Sequence, residues 1–247
     1  METVLIKVKR QDDPEDLPYW ELFEVELSPG MTVAQALAMV RENPVTADGN
    51  STSPVAHDCS CMEGLCGACA MQINGKARLA CATFVEEFDG PIMLEPLSKF
   101  PLTRDLRVDR TRILEALSAA ECWIPLDGLH PNGNMPVIEQ HEQARMSVFL
   151  DCIACGLCSE ACPQVNKRSA FAGAYLFSRV LPLNLHPAGK GSRGGRLAAL
   201  AARGGVADCA NAENCERVCP RGIPLVAAAA QLQWSVALHS IRRYFWG

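Results

Sequence analysis

The run DCIACGLCSEACP, residues 151–163, sets four thiols at intervals of two, two and three residues and ends on proline. Thiolates are soft ligands, and a turn this tight offers three of them, Cys152, Cys155 and Cys158, to three corners of one iron–sulfur cubane. The fourth, Cys162, then points away to a different cluster. Pro163 helps stop the turn and fixes the direction in which the chain leaves. Such a run needs a companion, and CANAENCERVCP supplies it. There Cys209, Cys215 and Cys219 take the first, third and fourth places, and Pro220 follows. The second place is Ala212, which cannot bind iron.

Exchanging the fourth cysteines of the two runs, as bacterial ferredoxins do, gives a definite assignment. Cys152, Cys155 and Cys158 with Cys219 make four ligands, hence [4Fe–4S]. Cys162 with Cys209 and Cys215 makes only three, hence [3Fe–4S], with a four-iron cluster open at one corner as the alternative. A third group lies upstream. CMEGLCGAC supplies Cys61, Cys66 and Cys69, and Cys81 follows after eleven intervening residues. That C-x4-C-x2-C…C spacing is the one used by plant-type [2Fe–2S] ferredoxins. Gly64 and Gly67 permit the turns that bring backbone N–H groups to sulfur. A zinc site would more often use two C-x2-C hooks. Cys59 fits the four-residue gap less well and is read as non-ligating. His57 is read as structural, because a Rieske centre needs two histidines on one iron. Cys122 has no partner spacing and is expected to be a small buried hydrophobe.

The bulk numbers suit this chemistry. The 247 residues are enough for two domains with modest cores. A hydrophobic content of 49% and a charged content of 21% describe an ordinary globular protein. A net charge of -5 argues against nucleic acid as the main partner. The N-terminal METVLIKVKR alternates like a strand and does not resemble a signal peptide. A reducing compartment is therefore expected, where thirteen cysteines, an odd count, are metal thiolates and not disulfides. No stretch of ~20 uninterrupted apolar residues appears. In IPLVAAAAQLQWSVALHSI, Leu225, Ala229, Leu232 and Val236 form a one-sided stripe, as in a helix packed on protein.

The elements that must position these thiols differ between the two parts of the chain. VLIKVKR and ELFEVEL alternate like paired strands, and Thr32 in SPGMT is a candidate N-cap for a helix bearing Val33, Ala36, Leu37 and Val40. MQI-NG-KARLAC predicts a hairpin turning at Asn74-Gly75, and IMLEPL another strand. Cys81 then comes from the strand after the hairpin. Strands around one helix predict an α+β, plant-type [2Fe–2S] ferredoxin (β-grasp) domain over residues 1–104. From residue 105 to 247 the pattern is helical and predicts an all-α, bacterial-ferredoxin-like domain. Asp109 is expected to cap a helix carrying Ile113, Leu114 and Leu117, and another helix enters at EQHEQARMSVFL. HPAGKGSRGG is expected as a flexible, basic, solvated connection. It contains a literal G-x-G-x-x-G at Gly189, Gly191 and Gly194. A dinucleotide site needs a preceding strand and an acidic residue about twenty positions on, and neither is evident. No triad, nucleotide loop or pair of catalytic carboxylates suggests a substrate site.

The order of the groups resembles the iron–sulfur subunit of succinate dehydrogenase and fumarate reductase. One plant-type set is followed by a complete run and a three-cysteine run. The resemblance covers nearly the whole chain, including RDLRVDRT at the domain junction and CPRGIP near the end. Through HDCSCMEGLCGAC, CWIPLDG and GGVADCANAENCERVCPRGIPL it looks similar to the Bacillus-like menaquinone branch. The resemblance implies that electrons leave FAD in a flavoprotein partner and pass through [2Fe–2S], [4Fe–4S] and [3Fe–4S]. They then reach haem b and quinone, menaquinone in this branch, in a cytochrome b membrane anchor. It further implies a peripheral position on the cytoplasmic face of the cell membrane. In ubiquinone-reducing relatives an aromatic pair follows the first CP, and a histidine follows the first cysteine of the second run. Here Asn166, Lys167 and Ala210 stand there, so a quinone pocket built by this chain is not expected. The tail IRRYFWG suits either a headgroup-facing surface or a helix end packed on its own domain. Three alternatives are a fumarate reductase subunit working in the opposite direction, a free two-domain ferredoxin, and a zinc-stabilised nucleic-acid module, the last disfavoured by charge and by the crossing runs.

Overall fold

A computed structural model describes residues 2–124 and 137–246. The chain forms two units, Met1–Arg110 with Cys155–Glu160, and Thr111–Ala154 with Ala161–Gly247. In the first, the alternating stretches form β1 (Thr3–Arg10) and β2 (Tyr19–Glu26), antiparallel with Ile6 opposite Phe23. Their inward positions, Ile6, Val8, Phe23 and Val25, are buried, as a two-residue period requires. α1 (Val33–Glu42) starts at Thr32, whose hydroxyl accepts the Gln35 amide while the Gln35 side chain accepts the Thr32 amide. Such a cap contributes about 1 kcal/mol. The predicted face, Val33, Ala36, Leu37 and Val40, is buried.

β3 (Ala70–Ile73) and β4 (Lys76–Leu79) make the expected hairpin, with Asn74 and Gly75 at φ 46 and 72. Positive φ at both turn residues matches the strands' twist. β5 (Ile92–Glu95) pairs parallel with β1 and antiparallel with β3, completing a mixed sheet of order β2-β1-β5-β3-β4. A small hairpin, β6 (Leu102–Arg104) and β7 (Arg107–Val108), turns at Asp105, which has φ 48. Asp105 is buried against the equally buried Arg10. It accepts Arg10 Nε at 2.9 Å, and the amides of Gln11 and Ala56 at 3.1 and 2.9 Å. Arg10 also donates to Ser53 and to the Glu21 carboxylate. A desolvated ion pair is tolerable only when its remaining hydrogen-bonding capacity is used in this way. The pair fixes the segment leading into the first cysteine loop. The first unit also holds the short α4 (Leu157–Glu160).

The second unit is helical: α2 (Thr111–Ala119), α3 (Gln140–Leu150), α5 (Tyr175–Leu185), α6 (Arg193–Ala201), α7 (Asn214–Arg217) and α8 (Leu225–Trp246). α5 packs on α3 and α8, and α6 on α8. The stripe Leu225, Ala229, Leu232 and Val236 is buried as expected, each full-sized side chain contributing about 1.5–3 kcal/mol. No helix among the described residues is long and apolar enough to cross a membrane.

Two expectations need correction. In α2, Ile113 is buried but Leu114 is 67% exposed, so the apolar face is narrower than the pattern suggested. HPAGKGSRGG is exposed over much of its length, as expected, but it is ordered and not a loose connection. Residues 187–192 form a 3-10 turn entered through Pro187 and capped by His186 Nδ1, which accepts the Ala188 amide, and Arg193–Ala201 continues as α6. The buried Arg196 organises the turn by donating to Asn184 Oδ1 at 2.7 Å, to the Trp123 carbonyl and to the Gly189 carbonyl. A Cβ on Gly189 would lie 1.8 Å from the Leu183 carbonyl oxygen, so that glycine serves close packing. A helix, α5, precedes this glycine motif where a dinucleotide site would need a strand. Of the tail's residues, Tyr244 and Phe245 are 83% and 67% exposed.

Candidate iron–sulfur sites

The first group of cysteines lies on the loop between α1 and β3 and just after β4, where Cys81 is buried in a 3-10 turn. Met62, Gly64 and Gly67 adopt φ 58, 70 and 74, so the chain winds back on itself and its amides turn inward. Three of them, from Glu63, Leu65 and Cys66, donate to Cys61 Sγ at 3.4, 3.2 and 3.3 Å. Gly64 donates to Cys81 Sγ at 3.3 Å, and Ala68 to Cys66 Sγ at 3.5 Å. The Cys81 amide donates to Cys69 Sγ at 3.4 Å, and the two sulfurs lie 3.2 Å apart. The structure thus brings together the four thiols singled out by spacing. The amides of Glu63 and Leu65 draw the Cys61 thiol down to about 7, which favours the thiolate that binds iron. Burial pushes Cys69 the other way. This donor set fits a thiolate-held cluster. Cys59 makes a sulfur contact with Met62 Sδ at 3.0 Å, and His57 Nδ1 lies 3.2 Å from the Val55 carbonyl.

Arg110, which sequence reasoning did not single out, fastens the outside of this loop. It donates to the carbonyls of Gly67 and Ala68 at 2.8 and 2.9 Å. The same unit carries Cys155 and Cys158, both buried, around α4. Gly156 has φ 86, and a Cβ there would meet the Phe100 ring at 2.9 Å, so only glycine lets the turn approach that ring. Glu160 anchors α4 by accepting Gln72 Nε2 at 2.9 Å, Ser98 Oγ at 2.6 Å and the Lys99 amide at 2.9 Å. The sequence signal for Arg110 was its place in RDLRVDR; Glu160, inside the cysteine run, gave none.

In the second unit Cys162, Cys209 and Cys215 line one small cavity. Its walls include Phe171, Phe177 and Ala229, and Ala212 lines it as well. Asn211 and Glu213, at φ 54 and 61, bend the chain on either side of Ala212. For residues with a Cβ this conformation costs about 1 kcal/mol each, offset here by the fastening of the turn. Arg217 donates to the Ala212 carbonyl at 3.2 Å, and Asn214 Nδ2 to the Ala161 carbonyl at 3.0 Å, tying the two runs together. Burial pushes the Cys215 thiol up to about 11. Cys152 and Cys219 also belong to this unit and are half-buried. The Cys152 carbonyl accepts Arg179 Nη2 at 2.8 Å, and Arg221 pairs with Asp151 at 3.6 Å. The Nε atoms of Arg179 and Arg221 and the Ser159 hydroxyl are buried beside the cysteine runs without hydrogen-bond partners among the described residues, as expected if they face an acceptor such as cluster sulfide. Cys122 stands apart, half-buried, its thiol pushed up to about 11 by burial. No three Cys, His, Asp or Glu side chains among the described residues converge as a single bound ion would require.

Comparison with known proteins identifies the two domains. A model of the 2Fe-2S iron-sulfur cluster binding domain matches residues 5–115, and one of the 4Fe-4S dicluster domain matches residues 148–223. The chain is 40% identical to the succinate dehydrogenase iron-sulfur subunit of Bacillus subtilis, over 98% of this chain and 96% of that one. It is 33% identical to the fumarate reductase iron-sulfur subunit of Wolinella succinogenes, over 87% and 89%. A chain of the Mycobacterium smegmatis Sdh1 complex in the apo form superposes with a TM-score of 0.81 at 25% identity, covering 97% of each chain.

Proposed function

The chain belongs to the iron–sulfur subunits of succinate dehydrogenase and fumarate reductase, and from that premise we propose how its thiols divide and what they connect. It is an electron-transfer subunit of succinate dehydrogenase (quinone), with a 2Fe-2S domain followed by a 4Fe-4S dicluster domain. Cys61, Cys66, Cys69 and Cys81 hold [2Fe–2S]; Cys152, Cys155, Cys158 and Cys219 hold [4Fe–4S]; Cys162, Cys209 and Cys215 hold [3Fe–4S]. One observation supports the last assignment: Ala212, which takes the second cysteine's place in the sequence run, lines the same cavity as those three cysteines.

When bound, the clusters supply one-electron carriers between a two-electron flavin and a quinone. The protein's own part is to hold and tune them. Backbone amides stabilise the Cys61 thiolate, Glu160 anchors the short helix that carries Cys158, and Phe171 and Phe177 wall one side of the three-cysteine site. The partners are an FAD-containing flavoprotein and a cytochrome b membrane anchor with haem b. Quinone, menaquinone in this branch, binds mostly in the anchor. The arginines and aromatics at the exposed end of α8 suit a surface meeting the anchor and the headgroup region. The subunit is then peripheral, at the cytoplasmic face of the cell membrane.

Affinity purification from detergent-solubilised membranes should bring down a flavoprotein and a cytochrome, with succinate oxidation faster than fumarate reduction. Recovery as a free monomer from the soluble fraction would sink the proposal. Faster fumarate reduction would move the chain to the reductase reading, for which the 33% identity to the Wolinella succinogenes subunit stands.

A further inference from the structure

Arg110 closes the RDLRVDR stretch, and its side chain turns back on the first cysteine loop. Nη1 donates to the Gly67 carbonyl at 2.8 Å, and Nη2 to those of Ala68 and Ala70 at 2.9 and 3.4 Å. These three carbonyls bracket Cys69. The remaining nitrogen, Nε, is buried and has no acceptor among the described residues. The thiols that act on the guanidinium are Cys155 most strongly, then Cys69 and Cys66. The bonds thus hold one cation on the loop that carries Cys66 and Cys69, and its charge is also felt at Cys155. Burial disfavours its charge, yet an arginine stays protonated in a protein. No carboxylate among the described residues forms an ion pair with it. Asp58, the nearest acidic influence, is engaged by Arg107 at 3.0 Å.

We propose that Arg110 is a tuning residue whose fixed charge raises the reduction potential of the [2Fe–2S] cluster and, through Cys155, that of the [4Fe–4S] cluster. The proposal rests on the ligand sets given above. Reduction adds one electron and one negative charge to a cluster. A cation held on the cysteine loop by its carbonyls, with a buried N–H that has no other acceptor among the described residues, stabilises that added charge. Net charge and hydrogen bonds to sulfur are the levers that set such potentials. The bonds to Gly67, Ala68 and Ala70 keep the cation in place and prevent it from swinging to solvent, where water would screen it.

The test is an EPR-monitored redox titration of the assembled complex, comparing wild type with Arg110→Met and Arg110→Lys. In Arg110→Met the one-electron reduction constant of [2Fe–2S] should fall about tenfold, which is about 59 mV for a one-electron couple. The [4Fe–4S] cluster should shift in the same direction. The three-iron signal, whose cysteines belong to the other unit, should titrate as in wild type. Arg110→Lys, which keeps the charge, should recover most of the difference. An unchanged [2Fe–2S] midpoint in Arg110→Met would overturn the proposal. So would an equal shift in all three clusters, or a lysine variant that falls as far as methionine. If Arg110→Met does not retain the cluster, Arg110→Gln replaces it with the same expected shift. Absence of a [2Fe–2S] signal in wild type would count against the ligand assignment instead.

Discussion

Around Cys61 the backbone does the holding, with the amides of Glu63, Leu65 and Cys66 all aimed at one sulfur. Around Cys162, Cys209 and Cys215 side chains do more of the surrounding, with Phe171, Phe177, Ala212 and Ala229 lining the cavity beside Gln164, Asn211, Glu213 and Asn214. The two regions meet the same problem, keeping anionic sulfur inside protein, by different means. The first disperses the charge into N–H dipoles and needs positive φ at Met62, Gly64 and Gly67 to do so. On the proposed assignment the second has one thiolate fewer, which lessens the charge that its partly apolar lining must accommodate. Ala212 is therefore more than a missing ligand; it matches the walls around it.

The comparison can be broken from either side. The largest effect should come from Asp105→Ala, which takes the buried carboxylate from Arg10 Nε, leaving Glu21 as its remaining carboxylate partner, and releases the Ala56 amide ahead of the cysteine loop. Removing one partner of such a pair costs about 3–5 kcal/mol. On heating the complex, the [2Fe–2S] signal should be lost well below the wild-type temperature while the three-iron signal persists. Simultaneous loss of both would show that the first loop is not separately anchored. Next, Ala212→Cys should restore the fourth corner, adding about one iron per chain and abolishing the EPR signal of the oxidised three-iron cluster. An unchanged iron content would favour a four-iron cluster with an open corner. The smallest effect is expected at the exposed Lys167 and Ala210. Lys167→Ala and Ala210→Ser should leave the apparent KM for quinone within about a factor of two, the scale of ordinary surface substitutions. A large rise would place quinone against this chain.

Much of this was legible because it is local. Cysteine spacing, the Asn74-Gly75 turn, the Thr32 cap and the stripe from Leu225 to Val236 each depend on residues close in sequence, and the turn, the cap and the stripe are found where expected. What escaped depends on distant partners. Nothing in VLIKVKR says that β1 will run parallel to β5, and nothing in local pattern pairs Arg10 with Asp105, 95 residues away. Charge misled twice in the same way. Arg196 lies just past a stretch read as solvated, yet it is buried and satisfied by carbonyls. Arg110 closes a stretch noted only as a junction, yet it returns to the cysteine loop. Arginine's planar fork can bond several backbone oxygens at once, so a basic residue in a Gly-rich or turn-rich segment is as able to organise it as to solvate it.

The central claim is that eleven thiolates divide four, four and three among three clusters. Quantitative iron and zinc analysis of the anaerobically prepared complex, normalised to this chain and corrected for haem, tests it most directly. The account predicts about nine iron atoms per chain and no stoichiometric zinc. Far fewer iron atoms, with zinc making up the difference, would contradict it.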